Sequence, residues 1–356
     1  MKLLIVTRKI DRNDERAGFF FDWVLEFAKN LDKLIIICQE LGDASGLPSN
    51  VEIHSLGKER GKGRFSQLIT YYLLLITLLP RVDGVFSHMM PVYAMMAGPW
   101  CKIYRKKLIQ WYTHKKVNLM LRLANFWVDE FVTASAESFQ LKTKKKVNIF
   151  GHGINFNKFK TQNSNVKTIN QNSKFTILSV GRISPVKNID LMVKAAEHIK
   201  LGEPELREKI LFQIIGGLGL PEQASYMKDL EKEVQEKSLD GLVDFLGPLP
   251  PKKLISYYQN CDLFLNFSDT GSLDKAVLEA MAAGDLILTS NEAFKNMMPA
   301  ELFLQEKTAV TAAEKIKEIF LTPTEHKEEW RRVLQKEVSE NHNLENLIPK
   351  IIRLYE

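Results

Sequence analysis

Cysteine is scarce. Cys38, Cys101 and Cys261 are scattered through 356 residues, odd in number and each set in an apolar run. That pattern excludes a disulfide frame and a cysteine-rich metal site, and it fits buried thiols in a reducing compartment. Zinc-ligand spacings, an RNP motif and a helix-turn-helix pattern are all missing, which leaves nucleic acid without support as a partner. Long hydrophobic runs are missing too: LITYYLLLITLL (68–79) is too short to span a bilayer. Met1 leads straight into KLLIVTR, whose apolar part is too short for a signal peptide and carries no cleavage pattern, so a cytoplasmic protein is expected. No internal repeat or low-complexity tract stands out. No G-x-S-x-G elbow exists, and spacing alone assembles neither a Ser-His-Asp nor a Cys-His constellation. GGLGLPE (216–222) lacks the third glycine of a dinucleotide fingerprint and a suitably placed acidic residue, and reads as a loop after a strand.

What is present is a globular composition, 45% hydrophobic with mixed charge, in a chain longer than a single core usually allows. The charge is uneven. Residues 1–160 carry 25 Lys and Arg against 14 Asp and Glu, a net +11, whereas residues 161–356 carry 24 against 29, a net −5. A basic first half suggests an anionic partner such as a membrane surface, although single lysines are ordinarily just solvated.

Strands and helices alternate. Strands are expected at 3–7, 33–39, 51–56, 82–88, 108–114, 130–135 and 147–155, with an amphipathic helix from Gly18 to Leu31. The basic stretch GKERGKGR (57–64) precedes the apolar run, which is either a buried or an interfacial helix. Residues 160–174 read as a polar linker. A second alternating series follows, with strands at FTILSV (175–180), 211–217, 243–247, 262–267 and from Leu286, and a helical segment from about Glu325 to Glu356. Such alternation gives parallel sheets covered by helices. The expected division is 1–160, 161–335 and a terminal helix, 336–356, packing back toward the first domain.

The chain is organised around DLFLNFSDTGSLDKAVLEAMAAGDLILTSN (262–291), a strand, tight loop, helix, glycine stop and strand. Asp274 or Ser272 can cap the helix, and Gly284 ends it. A loop that aims N–H groups outward at a helix N-terminus binds anions such as phosphate. Glu279 is the odd residue on this apolar helix. Spacing favours a solvated helix Glu, because carboxylates are seldom buried; the other reading is a carboxylate that accepts hydrogen bonds from ligand hydroxyls. In VGRISPVKN (180–188), Arg182 and Lys187 flank a strand-end loop whose shape Pro185 fixes. They are either solvated cations or a diphosphate clamp, the guanidinium acting as a planar fork and the ammonium as a point charge.

VGRISPVKNIDLMVKAA, VDFLGPLPPKKLISYYQNCDLFLNFS and LDKAVLEAMAAG, in that order, resemble glycosyltransferase family 4, and TASAESF (133–139) and GHGINFNKF (151–159) are similar to the same family. The likeness covers most of residues 82–291. It implies the GT-B fold, two Rossmann-like α/β domains facing a cleft, and retaining, metal-independent transfer of a sugar from a nucleotide-sugar donor. UDP- or GDP-sugars are the expected donors, and a glycan or lipid-linked acceptor the expected receiver. Matched to the family pattern, Arg182 and Lys187 hold the donor diphosphate and Glu279 the ribose hydroxyls. His114 lies near the transferred sugar, and Phe245, Leu246 and Gly247 pack near the base. Gly18 falls in the first glycine-rich loop, with Ala17 in place of its usual first glycine. Eight residues before Glu279 the family usually has a Glu that touches the donor sugar; here it is Gly271. Asp269 or Asp274 could supply that carboxylate, and the N–H groups of Gly271, Ser272 and Leu273 could still meet phosphate. Arg182, Lys187 and the helix N-terminus would then stabilise the leaving diphosphate without a DxD-type metal motif. The basic first half would dock on an anionic membrane at the inner face of the cytoplasmic membrane. Gly271 keeps a second reading open, a catalytically silent GT-B protein that binds a nucleotide sugar; a GT-B sugar epimerase is a third.

Overall fold

A computed structural model describes residues 1–14, 17–159 and 174–356. The expected linker thus lies almost wholly outside the described residues. The chain divides into two compact units, residues 1–155 with 341–356, and residues 156–340.

The first unit contains β1 (Lys2–Ile10), α1 (Phe19–Lys29), β2 (Lys33–Leu41), β3 (Val51–Ser55), α2 (Arg64–Leu78), β4 (Gly84–His88), α3 (Pro91–Ile103), β5 (Lys107–Trp111), α4 (Leu119–Trp127), β6 (Glu130–Thr133) and β7 (Lys146–Ile149). Its seven strands are all parallel, in the order β3-β2-β1-β4-β5-β6-β7. The strands read as near-continuous aliphatic runs because both faces of a parallel sheet are covered. Leu4, Val6, Ile35 and Ile37 share one core with Tyr71 and Leu75 of α2, Ala94 and Ala97 of α3, and Leu121 and Ala124 of α4.

The second unit contains α5 (Phe156–Phe159), β8 (Phe175–Val180), α6 (Ile189–Gly202), α7 (Pro204–Lys209), β9 (Ile210–Ile215), α8 (Ala224–Glu236), β10 (Val243–Gly247), α9 (Pro251–Gln259), β11 (Leu263–Asn266), α10 (Lys275–Ala283), β12 (Leu286–Thr289), α11 (Ala309–Leu321) and α12 (Thr324–Asn341). The sheet order is β10-β9-β8-β11-β12, again all parallel. The last helix, α13 (Leu344–Arg353), belongs to the first unit and packs on α1.

Three expectations change. The strand placed at 108–114 ends at Trp111: the Tyr112 N–H makes the last rung of the β5–β6 ladder, to Val132 O, and its hydroxyl bonds to Lys116 O. The strand placed at 147–155 ends at Ile149. Gly151 and Gly153 then take φ of 84° and 73°, and a Cβ on Gly151 would lie 1.7 Å from Asn341 O. The terminal helical segment is two helices, interrupted where Ile154 exchanges backbone hydrogen bonds with His342 and Leu344. In the run 68–79, Tyr71, Leu75, Leu78 and Leu79 are buried, while Leu73 is 60% exposed. No helix among the described residues is long and apolar enough to cross a membrane.

Candidate active site

In the second unit the strand order reverses between β8 and β11. In open α/β sheets, ligands bind outside the strand carboxyl ends at such a switch point. Both loops singled out from the sequence emerge there. After β8 come Gly181, Arg182 and a single 3-10 turn, Pro185–Lys187. After β11 comes the segment 267–274, which leads into α10.

The two loops are zipped together. Asn188, at φ 51°, donates from its amide to Phe267 O and to Asp269 Oδ2, each at 2.8 Å, and the Asp269 N–H donates to Val186 O at 2.9 Å. The Asp269 carboxylate also pairs with Lys307. Burial alone would raise the Asp269 pKa, but the hydrogen bonds from Lys307 and Asn188 leave it lowered. From below, Thr289 Oγ1 donates to Asn266 O at 2.6 Å, and Asn291 Nδ2 donates to Ser272 O at 2.9 Å. Asn266 and Asn291 brace the loop, a role that sequence reasoning missed; the signal was an amide at the end of β11 and another two residues beyond β12.

Gly271 adopts φ 57°, the left-handed region. Where the resemblance expects Glu, the backbone therefore takes a conformation that favours glycine. The N–H groups of Gly271, Ser272, Leu273 and Asp274 make no hydrogen bond within the chain among the described residues. They sit beside the first turn of α10, whose axis ends at Gly284 in a left-handed cap, φ 84°. Unengaged donors and a positive helix end together suit an anion.

Asp274 holds the cap position of α10 but makes no capping bond. Its Oδ1 lies 2.7 Å from Lys187 Nζ, and its Oδ2 accepts from Asn266 Nδ2 at 3.0 Å. The capping expectation is corrected accordingly: the half-buried Lys187 claims the carboxylate. Arg182 is exposed and has no ion-pair partner among the described residues. Arg182, Lys187, Asn266 and Gly181 line one small pocket with Met192 and Ile215.

Glu279 is not the solvated helix residue that spacing favours. Its side chain is 13% exposed, its Oε2 accepts from Tyr258 Oη at 3.1 Å, and Lys275 pairs with its other oxygen. Burial, reinforced by Glu279, holds the Tyr258 phenol far above its ordinary pKa, so it remains a donor. Phe245 and Leu246 stand at the end of β10, where Leu246 has no partner in β9 and forms a bulge. Gly216 approaches closely beside them, since a Cβ there would lie 1.7 Å from Gly181 O.

The remaining candidates belong to the first unit. Gly18 precedes α1, and a Cβ on it would lie 2.5 Å from Asp14 O. His114 is exposed, three residues beyond β5, and bridges to Phe139 rather than ending a strand. The sequence reading overlooked His88, at the end of β4 on that sheet's own switch point. His88 is 6% exposed and stacks on Phe20 at 3.9 Å, and its Nδ1 lies 3.1 Å from Thr7 Oγ1.

Residues 160–336 match the family described as glycosyl transferases group 1. Among curated relatives, an alpha-monoglucosyldiacylglycerol synthase of Streptococcus pneumoniae is 25% identical over 183 residues, 49% of this chain and 39% of that protein. A D-inositol 3-phosphate glycosyltransferase of Catenulispora acidiphila is 29% identical over 117 residues, 32% of this chain and 26% of that one. The matches thus span well under half the length of either relative. Among solved structures, Anabaena HepE in complex with UDP superposes at a TM-score of 0.76 with 15% identity, covering 99% of both chains. A glycosyltransferase from Rickettsia africae gives 0.74 with 16% identity, covering 99% of this chain and 98% of that one. Residues 160–336 therefore carry the glycosyl transferases group 1 family, in a chain whose two parallel α/β units have the GT-B fold.

Proposed function

We propose that the protein is a retaining glycosyltransferase that moves a sugar from a UDP- or GDP-sugar to a lipid-linked or glycan acceptor of the cell surface. The observation that carries this reading is the strand-end ring of the second unit. Four unengaged backbone N–H groups, 271 to 274, adjoin Lys187 through Asp274, and Arg182 lines a pocket with Lys187 at the same switch point. The relatives named above, one a glycolipid synthase, and the UDP complex of a structural neighbour give the reading further support.

In this reading Arg182 and Lys187 neutralise the diphosphate as the bond to the sugar breaks, and the α10 N-terminus adds its partial positive charge. Glu279, held by Tyr258 and Lys275, accepts from the ribose hydroxyls. Phe245 and Leu246 flank the base, and Asp269 or Asp274 meets the sugar. The roles of Gly18 and His114 rest on the resemblance alone. The leaving group is stabilised by protein cations, so chelation with EDTA is expected to leave transfer unchanged.

The acceptor side is a membrane in this reading. On α2, Phe65, Leu68, Ile69, Leu73 and Ile76 are all exposed, the first at 75%. Lys62 and Arg64 stand at the start of the same helix without ion-pair partners among the described residues. An apolar helix face flanked by basic groups lies in a bilayer interface.

A catalytically silent protein is the second reading, favoured by the left-handed Gly271 where a sugar-contacting Glu is expected. Incubating purified protein with UDP-glucose, GDP-mannose and ADP-glucose, with and without lipid acceptors, separates the two. Transfer or donor hydrolysis supports the enzyme. Tight binding without turnover supports the silent protein, and an isomerised sugar points to an epimerase.

A further inference from the structure

Lys187 already has an anion. Its Nζ is 2.7 Å from Asp274 Oδ1, and the two side chains are only 14% and 16% exposed. The second oxygen is occupied by Asn266, so the carboxylate is fixed from both sides. Asp274 stands at the head of α10, next to the unengaged N–H groups, without capping them. A negative charge of the chain itself therefore lies between the basic loop and the helix end. The nearby cations are similarly taken, Lys307 by Asp269 and Lys275 by Glu279. Arg182 is left as the basic side chain of this ring that has no ion pair among the described residues.

We infer that Asp274 is an internal counter-anion, one that competes with the donor diphosphate for Lys187 and sets how tightly the site holds diphosphates. The inference rests on the donor reading above. A diphosphate arriving at Arg182 and the free N–H groups takes Lys187 by exchanging one ion pair for another. The carboxylate loses its ion pair in that exchange, and the loss offsets part of what the diphosphate gains at Lys187. The same competition lowers affinity for the nucleoside diphosphate left after transfer, so Asp274 favours its release. No bond is made or broken in this exchange. Asp274 acts through Lys187 and is a positioning residue.

Calorimetric titration with UDP and with inorganic pyrophosphate tests this on the full chain. The set is the parent, Asp274→Asn, Lys187→Met and the double variant. The amide is isosteric and keeps its bond to Asn266; Asp274→Gly, tolerated at a helix cap, serves if the amide variant does not fold. Removal of the competing charge is expected to tighten both ligands about ten-fold, the scale of one charged hydrogen bond. The gain should vanish in the Lys187→Met background. Unchanged or weaker binding by Asp274→Asn overturns the inference, as does a gain that persists without Lys187. Those outcomes leave the donor reading standing while the parent binds UDP. If no member of the set binds either ligand, the donor reading and the inference fall together.

Discussion

Glu279 sits on a helix face that is otherwise aliphatic, yet its carboxylate is sheltered, hydrogen-bonded to a buried tyrosine and paired with Lys275 one turn away. In the proposed reading, this sheltered carboxylate accepts from the two ribose hydroxyls. Glu279→Gln keeps the length and removes the charge. Hydrogen bonds to charged groups are worth about 1.5–3 kcal/mol, so nucleotide affinity should fall about ten-fold or more with the melting temperature little changed. Titration with UDP, GDP and ADP checks this; unaltered affinity for all three would return Glu279 to a purely structural role. His88 makes a different prediction. Burial, with a smaller contribution from His152, holds its imidazole at about 3, well below its ordinary 6.5. Between those values the unfolded chain binds a proton at this site and the folded chain does not. The His88 contribution is thus fully present above pH 6.5 and is lost as the pH falls toward 3, at up to about 1.4 kcal/mol per pH unit. Urea unfolding from pH 7 to pH 5 should show this slope in the parent and a shallower one in His88→Gln. Parallel curves would contradict it.

Among the elements, α2 divides its side chains between two surroundings. Tyr71, Leu75 and Leu78 enter the core, and Phe65, Leu68, Ile69, Leu73 and Ile76 face outward. Of the basic groups before it, Lys58 and Arg60 pair with Glu40 and Glu59, which leaves Lys62 and Arg64 for an outside anion. Sedimentation with vesicles should show binding that needs anionic lipid and falls as salt rises. Each basic residue near such a surface contributes about 1 kcal/mol, so Lys62→Gln with Arg64→Gln should shift the protein to the supernatant, as should Phe65→Ser with Leu73→Ser. Equal recovery from neutral and anionic vesicles at low salt would rule this surface out. The elements also show where the sequence is readable. The strand, loop, helix and strand from 263 to 289 was legible because its punctuation is local: a loop rich in small residues and a glycine at a left-handed cap. The two faces of α2 were not, because apolar side chains lie all round the helix and only the tertiary packing decides which are covered. At the head of α10, local preference marked Asp274 as a cap, and a lysine 87 positions earlier in the chain took it instead.

Taken whole, the molecule is two parallel α/β units; Arg182, Lys187 and the segment 267–274 collect at the switch point of the second, less basic one, Phe245 and Leu246 stand at the end of its edge strand, and Gly18 and His114 belong to the first. Residues 1–155 with 341–356 carry 25 Lys and Arg against 16 Asp and Glu, a net +9, and residues 156–340 carry 24 against 27, a net −3, which places the anion-attracting field on the first unit. The second unit must therefore draw its phosphate affinity from a few groups in fixed positions and not from its overall charge. The most direct test is calorimetric titration of UDP- and GDP-sugars into the parent, Arg182→Ala and Lys187→Ala at moderate salt. One of these donors should bind the parent, and each substitution should weaken it by about 1.5–3 kcal/mol, at least ten-fold, with folding intact. Donor affinity that is the same in all three proteins would contradict a diphosphate site at the β8 and β11 strand ends.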